Sequence, residues 1–367
     1  MPDASSKGEL YDARSTVGGQ ADGLARPEQL IIRQTGARRS GCRSRPRAAI
    51  ASRPGVHESP ALAGGRSFTA FHVANRNAPA PHKSRMEATR VHALAAFALS
   101  HQVLSYFLLA YVITYAIDLI AIATVPPLFL LGTFGPLVSA AVLTRAESGW
   151  AGVRELLGRV RRWRIGIKWY AFVLLGPGAV YVSAMALTIV LGGTVDVGKV
   201  DPWYTVPLLF LLILVLGGPL GEEFGWRGYA LPRLQERRSS LAAALILGVV
   251  WALWHLPNWW IPVTEQYHNV EGNGNYIFFV GEFVLVVIAL SIIFAVVYNG
   301  TGGSMLAPLV LHASFNTWSG WLSRTIDPAA RPTFFVSQIL LLWAAAMIIV
   351  IATGPQLLGR RTGLAHV

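Results

Sequence analysis

Three short stretches of an otherwise apolar chain hold residue types able to do chemistry: Glu222, Glu223 and Arg227; Trp251 and His255; His312 and Asn316. Each stretch contains an i,i+4 pair, the spacing that brings side chains onto one helical face. Glu223 and Arg227 at that spacing are expected to neutralise each other as a structural support. Glu222 is rotated by about 100° from Glu223 and is left free for chemistry. Trp251 can lay its indole beside the imidazole of His255. His312 and Asn316 can present a ring nitrogen and an amide to one place.

A glutamate in a low-dielectric pocket becomes a useful base near neutral pH. Glu222, helped by His255, could take a proton from water. His312 and Asn316 could donate hydrogen bonds to the oxygen that turns negative when a carbonyl is attacked. That is the outline of a peptidase without a covalent nucleophile. The same residues allow a second reading: Glu222, His255 and His312 match the two-histidine, one-carboxylate ligand set of catalytic zinc. Residue types leave both open. No HExxH motif is present, GPLGEEFG is not a GxSxG elbow, and NGTGG at 299–303 lacks the lysine of a phosphate loop.

These residues need elements to carry them. The chain has 367 residues, 53% hydrophobic and 14% charged, against about a quarter charged in soluble domains. Apolar runs fall at 93–117, 125–143, 168–191, 204–231, 240–260, 277–297, 303–320 and 333–353, most near the roughly 20 residues that cross the hydrocarbon as a helix. Buried backbone in lipid must bond to itself, so the expectation is an all-α polytopic membrane bundle of about eight transmembrane helices. It occupies about residues 90–355, with a short tail at 356–367. Counted along the expected helices at 1.5 Å per residue, Glu222 lies about 16 Å from Arg233, His255 about 22 Å from Ser240, and His312 about 13 Å from Gly303. The three share the inner or middle depth of the membrane, where a charge is expensive unless it pairs or functions. Asp118 and Glu282 lie nearer span ends, and Glu282 is expected to reach the interface.

Charge orients the bundle. The segment 144–168 carries seven Lys/Arg and two Glu, and the tip 231–240 three Arg and one Glu. The opposite connections are poor in Lys/Arg, so the positive-inside rule expects a multi-pass protein of the cell membrane with both termini in the cytoplasm. Trp203, Trp259, Trp260 and Trp321 fit an outer interfacial belt. The formal net charge of +12 does not argue for a nucleic-acid partner, since residues 1–85 alone hold fourteen Lys/Arg against six Asp/Glu. That segment is rich in Ala, Gly, Pro, Ser and Arg and cannot build a core; it is expected to be a disordered basic extension, or to lie upstream of a start at Met86. The single cysteine, Cys42, excludes a disulfide framework and a multi-cysteine metal site.

EEFGWR (222–227), WALWH (251–255) and HASFN (312–316) together resemble the signature of the CPBP family, also called the Abi or CAAX-protease family. It includes type II CAAX prenyl endopeptidases and bacteriocin-processing and bacteriocin-immunity proteins. The resemblance covers about residues 90–355 and is strongest over 215–320. It implies an all-helical membrane bundle, a conical cavity opening toward the cytoplasm, and a membrane-associated protein or peptide as substrate. It implies glutamate-dependent hydrolysis without a resident cofactor, in preference to zinc. By motif, Glu222 takes the catalytic position, His255 pairs with it to activate water, and His312 and Asn316 take the oxyanion-hole positions. Glu223 and Arg227 fill the remaining signature positions. Trp251 stands where the second motif has phenylalanine. A non-enzymatic immunity or membrane-interaction protein on the same scaffold is the alternative.

Overall fold

The computed structural model of the protein describes residues 100–271 and 274–359; the basic segment 1–85, the start of the first expected span and residues 360–367 lie outside them. Nine helices carry the argument. They are α1 (Gln102–Ala123), α2 (Gly135–Gly158), α3 (Ile167–Val190), α4 (Val206–Leu216) and α5 (Pro219–Gln235), followed by α6 (Ser240–Trp254), α7 (Tyr276–Gly300), α8 (Leu306–Leu322) and α9 (Arg331–Thr353). Among the described residues the β content is one isolated bridge, Val195 to Ile326. This is the expected all-α bundle.

Its outside is as apolar as its inside. Leu108, Leu119, Val190 and Ile351 are all more than half exposed, and Ile277 is 90% exposed. A soluble surface rarely carries contiguous patches of this kind, whereas hydrocarbon imposes no cost on them. α4, VPLLFLLILVL, has no buried residue at all. Six helical segments are long and apolar enough to cross a membrane, and the bent pair α4–α5 makes a seventh. The seventh expected span, α8, falls short of that test: it has 17 residues, about 26 Å of helix, and carries His312, Ser314 and Asn316.

Hydrogen bonds between connections show that α8 nevertheless runs from one end of the bundle to the other. At one end, Arg162 Nη1 donates to Gly302 O at 2.9 Å and Ser304 Oγ to Arg162 O at 2.7 Å. At the other, Trp321 Nε1 donates to Asp201 O at 2.7 Å and Asp196 N to Thr325 O at 2.7 Å. The first end gathers the α2–α3, α5–α6 and α7–α8 connections, with ten Lys/Arg over 145–168 and 233–238. The second gathers 191–205, 255–275 and 323–331, with Lys199, Arg324 and Arg331.

Three details differ from the sequence reading. The basic stretch at 144–168, expected as a loop, is helical through Arg161, with a kink at Gly149 (φ 67°). Its Val153 and Leu156 are buried, and Glu147 accepts from Tyr229 and Arg233 of α5, so tertiary contacts hold it. The run 204–231 is not one helix: it bends by 47° at Gly217–Gly218. Trp259 is not an interfacial anchor; it is buried, edge-on to Phe283 at 5.1 Å, while Trp203 and Trp260 are exposed.

Candidate active site

The break between α4 and α5 begins the site. Gly218 has φ +107°, a region that a side chain rarely adopts. A Cβ there would also fall 2.4 Å from Glu222 Oε1 and 3.9 Å from His312 Cε1. The Glu222 carboxyl therefore folds back over a bare backbone, toward α8. The new helix then packs closely against the turn that leads into α2, because a Cβ on Gly221 would meet Thr133 O at 2.4 Å, and against α2 itself, where a Cβ on Gly225 would meet Pro136 O at 2.7 Å. Further along, Trp226–Ala230 forms a π turn, a distortion that recurs at functional sites.

Glu223 and Arg227 are fully buried and pair at 3.0 Å. The expected i,i+4 pair is present, but it has a third member. The same Glu223 Oε1 lies 2.8 Å from His312 Nδ1, so the support of one motif orients the histidine of another. A carboxylate can only accept, so Nδ1 of His312 is the protonated nitrogen in this bond. Arg227 has no further side-chain acceptor for Nε and Nη2. Its guanidinium instead lies 4.0 Å from the ring centroids of both Trp251 and Phe294, a cation–π sandwich in a dry setting.

Glu222 is held differently. Its Oε2 accepts from Trp251 Nε1 at 2.6 Å and lies 3.9 Å from His255 Nε2. Arg227 takes Glu223, not Glu222. His255 Nδ1 contacts Trp251 O at 2.8 Å; a carbonyl only accepts, so Nδ1 donates and Nε2 is the nitrogen turned toward Glu222. Trp251 is thus the centre of the arrangement, with His255 and His312 rings at centroid distances of 5.8 and 5.6 Å. Trp254 and Phe283 complete the aromatic wall around His255 at 4.8 and 5.1 Å. The spacing of Trp251 and His255 foretold a neighbouring ring, but not the indole's bond to a carboxyl on another helix. Asn316 Nδ2 reaches Gly217 O at 3.4 Å, tying α8 to the break.

Glu222, His255, His312 and Asn316 all line one cavity of about 330 Å³. From them it runs outward past Thr264, Glu265 and Gly320, residues of the connections poor in Lys/Arg. Asp118, read from sequence as lying within or at the end of a span, and Glu282, expected to reach the interface, are both buried and line it as well. Glu265, outside the spans, keeps an accessible side chain at the mouth, yet the protein around its carboxyl raises its pKa, with the Ser319 hydroxyl opposing the shift. Among the described residues no three His, Cys, Asp or Glu side chains are grouped so as to hold a metal ion. Two imidazoles and a carboxylate are the right donor types for zinc, but their placement does not form that ligand set.

A model of the type II CAAX prenyl endopeptidase Rce1-like family matches residues 204–318. This segment spans α4 to α8 and contains all three motifs. The chain is 27% identical over 259 residues to the CAAX prenyl protease 2 of Methanococcus maripaludis, covering 66% of this chain and 92% of that one. Both matches are to CAAX-type prenyl proteases, and the chain is similar to them over the segment that holds the three motifs. The apolar helices are those of a multi-pass membrane protein. Its second motif departs from phenylalanine at Trp251, and the departure has a chemical content: phenylalanine has no N–H to offer Glu222. Trp251→Phe keeps the aromatic wall and deletes that donor. Peptide cleavage by the variant is expected to fall about tenfold, the size of one lost hydrogen bond to a charged group, in kcat rather than KM. An unchanged kcat in detergent micelles would show that the bond has no bearing on turnover.

Proposed function

We propose that the protein is an intramembrane endopeptidase that hydrolyses a peptide bond of a membrane-associated protein or peptide with a water activated by Glu222 and His255. The observation that carries this reading is the 3.9 Å approach of His255 Nε2 to Glu222 Oε2 inside a cavity, with both groups fixed from behind by Trp251. A water between a carboxylate and an unprotonated ring nitrogen gives up a proton to Glu222 as its oxygen bonds to the carbonyl carbon. The carbonyl oxygen takes the negative charge. Collapse breaks the C–N bond, and the stored proton passes to the leaving nitrogen. Asn316 and His312 line the same cavity, and their Nδ2 and Nε2 are the donors assigned to the oxyanion in this reading. His312 donates from Nε2 only as an imidazolium, which would share the Glu223 carboxylate with Arg227. The test is cleavage of a membrane-anchored reporter peptide in proteoliposomes by the wild type and Glu222→Gln; persistent cleavage by the variant overturns the reading.

The orientation follows from charge. The end with ten Lys/Arg is placed in the cytoplasm by the positive-inside rule, and with it both ends of the described chain. The cavity then opens on the outer face, the reverse of the cytoplasmic opening that the family resemblance implied. Its substrates are peptide segments exposed outside the membrane. Single cysteines in a Cys42→Ser background decide this: Gly320→Cys, where an added Cβ meets nothing within 4 Å, is expected to react with an impermeant maleimide on intact cells, and Arg237→Cys only after lysis. The reverse labelling pattern would invert the orientation.

A further inference from the structure

The outer half of the cavity has a chemical bias that the reacting groups do not explain. Four carboxyl side chains line the cavity, those of Asp118, Glu222, Glu265 and Glu282, and no Lys or Arg side chain does so among the described residues. Glu222 has Trp251 and His255. Glu282 has neither a hydrogen bond nor an ion pair among the described residues, although it is only 9% exposed, and what exposure it keeps is to the cavity. An unpaired carboxyl held in such a place is costly, and the residues beside it give it no function in the fold.

Glu282 sits next to Phe283, whose ring packs on His255, so it lies one step outward of the reacting groups along α7. Gln338 of α9 faces the same space; it is 3% exposed and its Nε2 has no hydrogen-bond partner. Glu265 lies further out, accepting from Ser319 Oγ at 3.1 Å. Of the cations nearest the mouth, Arg324 pairs with Asp201 at 3.3 Å, while Arg331 donates to Asn269 at 3.5 Å and its charge also acts on Glu265; neither lines the cavity beside Glu282. A buried acid without an ion pair, a buried amide nitrogen without a geometric hydrogen-bond partner beside Tyr181, and an outer acid that Arg331 only partly offsets make a receptor for a positive charge that arrives with a ligand.

We infer that Glu282, with Glu265 above it, forms a subsite that takes a cationic group of the peptide substrate, a lysine or arginine side chain or a free amino terminus, and so selects substrates by charge on the outer side of the scissile bond. This rests on the peptidase reading for its setting, but binding can be read without turnover. Four anchored peptides of one sequence are compared: acetylated with lysine, acetylated with arginine, acetylated with norleucine, and norleucine with a free amino terminus. The cationic position is scanned along the peptide.

Wild type is expected to cleave at least one cationic peptide with a KM about tenfold below that of the acetylated norleucine peptide. Whether lysine, arginine or the amino terminus carries the effect names the group. Binding to Glu222→Gln, followed by fluorescence anisotropy, is expected to show the same tenfold preference. Glu282→Gln is expected to reduce that preference to less than twofold, and Glu282→Asp to retain part of it. Should Glu282→Gln not fold, wild-type inhibition by hexylamine against hexanol is the second measurement, with hexylamine expected to be several-fold stronger. Equal handling of cationic and neutral peptides by wild type, or a preference that survives in folded Glu282→Gln, overturns the subsite. A preference in binding without any cleavage by wild type leaves the subsite standing and removes the peptidase reading instead.

Discussion

Glu222→Gln is expected to lower kcat for peptide cleavage by at least about a thousandfold, within the range general-base catalysis contributes, while leaving a folded protein. The amide has nearly the shape of the carboxyl, and its oxygen can still accept from Trp251 Nε1, a bond of 2.6 Å in the native protein. What it lacks is the lone pair basic enough to hold a proton from water. A monodisperse elution profile and a melting temperature within a few degrees of wild type are the controls that separate lost chemistry from lost structure. His255→Ala should follow it in direction, since its Nε2 lies 3.9 Å from the same carboxyl oxygen. Cleavage by Glu222→Gln within tenfold of wild type would assign the proton transfer to another group.

Arg227→Leu carries the largest expected effect on stability. Arg227 and Glu223 have no exposed surface and meet at 3.0 Å. Removing one member of a buried pair leaves the other charge uncompensated, at about 3–5 kcal/mol, and here it also empties the sandwich between Trp251 and Phe294. The double variant Glu223→Leu/Arg227→Leu should recover much of that loss, because replacing both partners of a buried pair with apolar groups is often neutral. It should not recover activity, because His312 has then lost the carboxylate 2.8 Å from its Nδ1. Unfolding in mixed micelles reads the first quantity and turnover of the reporter peptide the second. A loss below about 0.5 kcal/mol for Arg227→Leu, the range of an ordinary surface change, would mean that Glu223 is satisfied by His312 alone.

Residue spacing disclosed what lies within one helix and little of what lies between helices. Glu223 with Arg227 was legible because four residues nearly complete a turn, and α5 is helical there. The separate environment of Glu222 followed from its rotation off that face. The bond from Trp251 Nε1 to Glu222, and the sharing of Glu223 by Arg227 and His312, join α5 to α6 and α8; such contacts are set by how helices cross, and hydropathy does not encode this. The bend before Glu222 did leave a mark, since Gly217, Gly218 and Pro219 in succession are helix breakers. Glu282 was misplaced because distance along a helix says nothing about which way a residue faces. The helical course of 145–161 was hidden by its arginines, which mark a topogenic segment while also being good helix formers.

The charges in α5 also bear on how the chain is made. Glu222, Glu223 and Arg227 fall within six residues, and each charged group at the centre of an isolated helix costs about 2.5–3.5 kcal/mol on translocon-insertion scales. The eleven residues of α4 are uniformly apolar, but α5 on its own is a poor candidate for release into lipid. α2, which receives Gly225, is synthesised before it; His312, the second partner of Glu223, emerges about ninety residues after it. Biogenesis thus has a fixed last step: the polar half of this hairpin must wait at a sheltered place until the seventh pass is translated, and truncation before α8 yields a nascent chain with an unmet acid for quality control to find.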